Sequence, residues 1–117
     1  MSSGIPNAIR QAVIDRDGRL CRRCGRPGGS IHHRIPRGMG GSRDPKINSP
    51  ANLVFVCGHG TAGCHGWIEA HRTESYMSGW LVHRYEDPET VPLIDMGGVA
   101  WVLTTDGLAV PAFRRTA

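Results

Sequence analysis

Cys21-x2-Cys24 and Cys57-x6-Cys64 form two pairs separated by 32 residues. A Cys-x2-Cys turn brings two thiolates onto one tetrahedral ion, and a second pair completes an all-thiolate zinc site. Arg22 and Arg23, between the first pair, favour thiolate over thiol. Four sulfur ligands leave no coordination position for a substrate, so zinc held here is a structural staple. The alternatives are a redox Cys-x2-Cys, unligated core cysteines, or a set in which His59 replaces one cysteine.

A second group of residues suits proton transfer and a harder metal ion. His32 and His33 are adjacent, Asn52 lies between the cysteine pairs, and His65 directly follows Cys64. An imidazole with its ordinary pKa of about 6.5 is a competent base near neutral pH, and a neighbouring imidazole can hold a divalent ion. A zinc ion on the cysteines would gather these segments. Cys24 lies eight residues before His32, and Cys57 and Cys64 frame the approach to His65.

The elements that must position these groups are short. Ile5, Ile9, Ala12 and Val13 fall at helical spacing, so a helix is expected over residues 6–16, ended by Asp17-Gly18. Residues 30–36 can form a strand, residues 37–51 are a Gly- and Pro-containing loop, and residues 53–57 form an apolar strand. A glycine loop then leads into a helix over residues 64–72, with a second helical piece at 74–78. The tail holds a strand near residues 80–84 and a hairpin in which 99–105 returns through Asp106-Gly107 to 108–110.

Composition agrees with a small, loop-rich, stapled domain. The 117 residues include 16 Gly, 8 Pro and only 6% aromatics, a core thin enough to need such a staple. One domain over residues 1–117 is expected. Residues 1–72 carry eleven Lys/Arg against four Asp/Glu, whereas residues 73–117 carry three against six. Thirteen of the fourteen basic residues are Arg, suited to bidentate phosphate contact. A basic surface around a metal site points to a polyanion. The N-terminal residues lack the apolar stretch of a secretory signal, and no apolar run is long enough for a membrane span. The expected compartment is therefore the reducing cytoplasm, where paired cysteines bind metal sooner than they form disulfides.

Cys21-x2-Cys24, His32-His33-Arg-Ile-Pro, Gly38-Met-Gly-Gly41, Asn52-Leu53, Cys57 and Cys64-His65 occur in that order. Together they closely resemble the HNH endonuclease family, and in particular its short, zinc-stapled bacteriophage members. The resemblance covers about residues 20–72 and leaves the last 40 residues unmatched. It implies an α+β chain with a ββα-metal (His-Me finger) core at about residues 19–72, stapled by zinc on Cys21, Cys24, Cys57 and Cys64. An N-terminal helix precedes that core, and an extension over 73–117 adds a small β-hairpin.

The resemblance also implies roles. His32 and His65 would hold one catalytic divalent ion (Mg, Mn, Ni or Zn), His33 would be the general base, and Asn52 would brace the loop that orients it. Some members place a further ligand one helical turn after His65, which here is Glu69, on the same helix face. Arg34, Arg37 and Arg43 are candidate phosphate contacts. The implied activity is hydrolysis of DNA phosphodiester bonds to 5′-phosphate and 3′-hydroxyl ends, in a host bacterial cytoplasm if phage-encoded. Proteins of this type often serve with the terminase in DNA packaging. The rival readings are a non-catalytic zinc-ribbon module binding nucleic acid and a terminase-accessory subunit docked through its acidic tail. One geometric difficulty stands: neighbours in a regular strand point to opposite faces, yet His32 and His33 must serve one site, which requires a bulge, a strong twist or a substrate straddling the strand edge.

Overall fold

The computed structural model describes residues 4–37 and 44–112. It is an α+β structure with short helices and two small antiparallel sheets. Helix α1 spans Asn7–Arg16 and buries Val13. Val13 packs with Ile5, Ile9 and Ile14 onto Ile31, Leu53 and Phe55, whereas Ala12, expected on the same stripe, is exposed. Gly18 and Arg19 both adopt positive φ (66° and 64°) and turn the chain out of the helix.

Asp17 does more than end α1. Its buried carboxylate accepts from Arg16 Nε (2.8 Å), Arg22 Nε (2.7 Å) and the Phe55 amide (2.9 Å). One side chain thereby ties the helix end, the first cysteine turn and the central strand together.

Strand β1 (Ser30–His33) pairs antiparallel with β2 (Leu53–Val56), with Ser30 opposite Val56 and His33 opposite Leu53. The expected strand over 30–36 stops at His33. Arg34 still donates its amide to Asn52 O (2.8 Å), but the Ile35 amide is taken by the Asn52 side chain (2.8 Å). The connection contains two tight 3-10 turns, Pro45–Asn48 and Pro50–Asn52, each started by a proline and capped by Asp44 or Ser49.

Helix α2 spans Gly63–Ala70, and after a break at His71 helix α3 spans Arg72–Met77. The glycine loop before α2 is forced by close packing. A Cβ on Gly58 (φ 78°) would lie 2.0 Å from Ala62 O, and one on Gly63 (φ 64°) would lie 2.8 Å from Cys57 O. That closeness brings Cys57 and Cys64 together.

Residues 80–84, expected as a strand, form no ladder. Trp80, Leu81 and Val82 are buried, and single bonds from Leu81 N to Ser75 O (3.0 Å) and Val82 N to Arg34 O (2.9 Å) fix the segment. Apolar content marked its burial but not its conformation. The hairpin is present as β4 (Ala100–Leu103) and β5 (Ala109–Pro111), joined by a third strand, β3 (Leu93–Ile94), that patterning did not reveal. Its turn has three loop residues instead of two: Thr104 pairs with Leu108 (2.9 Å), and Gly107 takes φ 94°.

One apolar cluster joins both parts of the sequence. Cys21, Val54, Val56, Cys64 and Ile68 pack with Trp80, Leu81, Leu93 and Leu103. The extension therefore completes the core that the cysteine and histidine segments begin. Among the described residues no helix is long and apolar enough to cross a membrane.

Candidate functional site

The four cysteines converge. Their sulfurs all lie within 4.8 Å of one another, and Cys24 and Cys57 are 3.7 Å apart. Four thiolates around one tetrahedral zinc at about 2.3 Å require sulfur separations of about 3.8 Å, so the donor set fits; the thiols are free, not disulfide-bonded. The backbone prepares them as well. The Cys24 amide points at Cys21 Sγ (3.4 Å) and the Cys64 amide at Cys57 Sγ (3.3 Å). Arg23 donates to Cys64 Sγ (3.2 Å), as expected for an arginine that stabilises thiolate. Arg22 instead bonds Asp17 and lies over the Trp101 ring at 4.6 Å. This is a candidate metal site compatible with structural zinc, formed without His59, whose Nδ1 instead faces Thr61.

A second cluster includes the next residue of α2 after Cys64. One ligand atom from each of His32, His65 and Glu69 lies within 4.8 Å of the others. The two imidazoles meet edge to face at 5.3 Å, and His32 Nδ1 is 3.9 Å from Glu69 Oε2.

Hydrogen bonds fix which ring nitrogens carry protons. Trp80 O can only accept, so His32 donates from Nε2 across 2.6 Å and keeps a bare Nδ1 facing Glu69. The Ser30 hydroxyl spends its proton on Gly58 O (2.7 Å), so His65 Nδ1 donates to Ser30 Oγ (2.7 Å) and Nε2 is bare. Each ring thus offers one lone pair and anchors the opposite nitrogen, the arrangement that orients histidine ligands. Burial pushes the His32 pKa down to about 3 and lowers that of His65, the latter against the opposing pull of Glu69. Both rings are therefore neutral and able to ligate at pH 7.

His33 has a different partner. Its Nε2 lies 2.9 Å from Asn48 Oδ1; with that oxygen accepting, Nε2 carries the proton and Nδ1 is bare. Burial lowers its pKa, the Asn48 bond opposes the shift, and the positive charges of Arg37 and Arg10 add to it. Asn52 is buried and bonds Ile47 O (2.9 Å) and the Ile35 amide (2.8 Å). It thereby pins the turn that ends in Asn48. Sequence reasoning identified Asn52 and missed Asn48, because a lone asparagine in a loop has no periodicity or spacing to single it out.

The register between β1 and β2 is regular at both histidines. His33 therefore shares the α1-facing side with Ile31, while His32 faces the α2 side with Val54. Neither bulge nor register shift brings them together. His32 is buried beneath the carbonyl of Trp80, whereas His33 is only half-buried on the other side of the two-stranded ribbon.

Arg34 is a correction. Expected as a phosphate contact, it is fully buried, with its guanidinium held by Gly79 O (2.9 Å), Ala51 O (3.0 Å), Pro88 O (3.0 Å) and Val91 O. It faces inward because these carbonyls, three from the extension, offer a complete acceptor set. Arg37 is half-buried and near enough to influence His33. Arg43 and the 38–41 glycine stretch lie outside the described residues. His71 stacks on Trp67 at 4.4 Å and takes no part in either cluster, and Trp67 also carries Arg23 on its ring at 3.9 Å. A surface cavity of about 410 Å³ opens beside the cysteines, lined in part by Arg26, Trp67 and Met96. The histidine cluster lies elsewhere.

No protein-family model matches this sequence, and no curated protein or solved structure matches it either.

Proposed function

We propose that this protein is a metal-dependent endonuclease of the ββα-metal type that hydrolyses DNA phosphodiester bonds, with zinc on its four cysteines as a structural staple. The observation that carries this reading is the histidine arrangement. Two imidazoles with bare lone pairs converge on a carboxylate, and a third imidazole, next in sequence, is held with one nitrogen free to take a proton. A binding module has no use for a held base. The chain order β1, β2, α2 and the Arg-rich first 72 residues support the same reading.

A divalent ion held by His32, His65 and Glu69 would supply Lewis acidity toward a phosphate oxygen; nitrogen and carboxylate donors suit such an ion. The protein's own contribution is proton management. His33, neutral at pH 7, takes a proton on Nδ1 from the water that attacks phosphorus. The new O–P bond forms as the bond from phosphorus to the 3′ oxygen breaks, and the departing 3′ oxygen takes a proton from solvent. Asn48 keeps the ring in the required tautomer, and Asn52 keeps Asn48 in place. Arg37 stands close enough to His33 to favour the approach of a phosphate.

Cleavage of supercoiled plasmid in Mg²⁺, Mn²⁺, Ni²⁺ and Zn²⁺ tests the reading. His33→Ala should lose about 10²–10⁴ in rate, and no excess of metal should restore it. His65→Ala should also lose activity but regain part of it at high metal. Full turnover by His33→Ala at saturating metal rejects the base assignment, and no cleavage by wild-type protein in any of the four ions rejects the nuclease.

A further inference from the structure

Three rings stack in parallel beside the histidine cluster. Tyr76, on the last turn of α3, lies 4.1 Å from His83 with planes 9° apart, and His83 lies 5.3 Å from Tyr85 with planes 8° apart. The ladder is exposed at its far end, where Tyr85 is 79% accessible. His83 and Glu86 close the turn through Glu86 N to His83 O (2.9 Å) and His83 N to Glu86 Oε1 (3.1 Å). Lys46 Nζ clamps the same turn through Arg84 O (2.6 Å) and Glu86 O (3.2 Å).

The ladder is tied to the histidine cluster at its inner end and through its middle ring. At one end Arg72 bonds Glu69 Oε1 (3.1 Å) and lies over the Tyr76 ring at 5.8 Å. In the middle, His83 follows by three residues the Trp80 whose carbonyl fixes His32. Two faces of the middle ring and one face of each tyrosine are used within the stack. Among the described residues no ring lies on the outer face of Tyr85.

We infer that Tyr85 is a stacking platform for an unpaired nucleobase, with the strand running from there toward His32, His65 and Glu69. A duplex keeps its base faces covered, so the partner is single-stranded or locally opened nucleic acid. Stacking on aromatic rings is largely indifferent to base identity. The cations are arranged to match. Arg72 lies over the Tyr76 ring, Lys46 reaches the turn carbonyls with Asp44 3.9 Å away, and the exposed Arg84 is next to Tyr85 in the chain, whereas Glu69 and Glu86 are engaged by Arg72 and by the His83 amide. The inference rests on the nuclease reading only for the direction in which the strand runs.

The test uses the full chain carrying His33→Ala, so that the probe stays intact, and a 2-aminopurine oligonucleotide, either single-stranded or in a blunt duplex. Tyr85→Ala should weaken single-strand binding by about 5- to 150-fold, the worth of one stacked base. It should abolish the 2-aminopurine quenching and leave duplex affinity, zinc content and melting temperature unchanged. Tyr85→Phe should keep both the affinity and the quenching. Unchanged single-strand binding in Tyr85→Ala overturns the proposal, as does an equal loss on the duplex. Plasmid cleavage by wild-type protein keeps the two readings separable. Cleavage without Tyr85-dependent stacking ends the platform alone, and stacking without cleavage ends the nuclease alone.

Discussion

The two donor clusters share α2 yet are built by opposite rules. The cysteine cluster is local and closed. Its four ligands come as two pairs from tight turns, and two backbone amides and Arg23 point at its sulfurs. The histidine cluster is assembled over long distances and is exposed only at Glu69. Its ligands come from β1 and α2, its supports are Ser30 and the carbonyl of Trp80, and its third member, Glu69, is exposed. Amides facing sulfur stabilise thiolates and saturate the site. Carbonyls and a hydroxyl behind imidazoles set tautomers and leave one ring nitrogen of each bare. On the function proposed above, the first design would hold the fold and the second would keep a metal available to a substrate.

Removing the staple should have the largest effect. Structural zinc in small modules is worth about 10–16 kcal/mol of binding, comparable with the whole stability of a domain. Cys57→Ser should therefore abolish zinc retention and cooperative melting together, as read by metal analysis and circular dichroism. Burial pushes the Cys64 thiol up to about 12 and raises that of Cys24, so zinc must displace protons there. Its affinity should fall as pH is lowered. Because Cys64 and His65 are adjacent, Cys57→Ser should also scatter the histidine cluster. A stably folded, zinc-free Cys57→Ser protein would contradict the division of labour between the clusters.

Arg34→Met should separate the clusters the other way. It strands four carbonyls that a buried cation now satisfies, three of them from the segments around Trp80, Pro88 and Val91. Each lost charge-assisted bond costs about 1.5–3 kcal/mol before relaxation, so a destabilisation of at least about 3 kcal/mol is expected. The cysteine turns make none of these bonds. Zinc should be retained while affinity for the second ion drops, and simultaneous loss of both metals would show that the clusters are not independently supported.

The contrast between local and assembled sites also explains what the sequence disclosed. The cysteine pairs were legible because a turn fixes its own ligands: Cys21 and Cys24 need only three residues of backbone. The helix over Asn7–Arg16, the strand Leu53–Val56 and the helix after the glycine loop were legible through periodicity and turn residues, since each buries one stripe or run. Arg34 was misplaced because its four acceptors lie 17 to 57 residues away in irregular segments. An arginine after two histidines looks the same in sequence whether it meets phosphate or carbonyls. Asn48, Ser30 and the carbonyl of Trp80 escaped for the same reason. The part played by Trp80 depends on backbone, which no side-chain pattern encodes.

The smallest and sharpest effect concerns Asn48, which acts on His33 without touching either cluster. Burial holds the His33 pKa below 6.5, and the Asn48 bond raises it. Since the base must be neutral, activity should be flat from about pH 7 upward and fall as pH drops through that lowered value. Asn48→Ala removes the raising contact, so the acid limb should move to lower pH while the plateau falls about tenfold, one hydrogen bond's worth of orientation. Asn48→Asp places a carboxylate against Nε2, favours the imidazolium, and should move the limb to higher pH, with turnover recovering at alkaline pH. A merely structural Asn48 would lower melting temperature and rate at every pH without moving the limb. Opposite displacements of the acid limb in the two variants, at unchanged content of both metals, are therefore required if His33 is the base and Asn48 its positioning residue. An unmoved limb in both would leave the third imidazole without the task assigned to it.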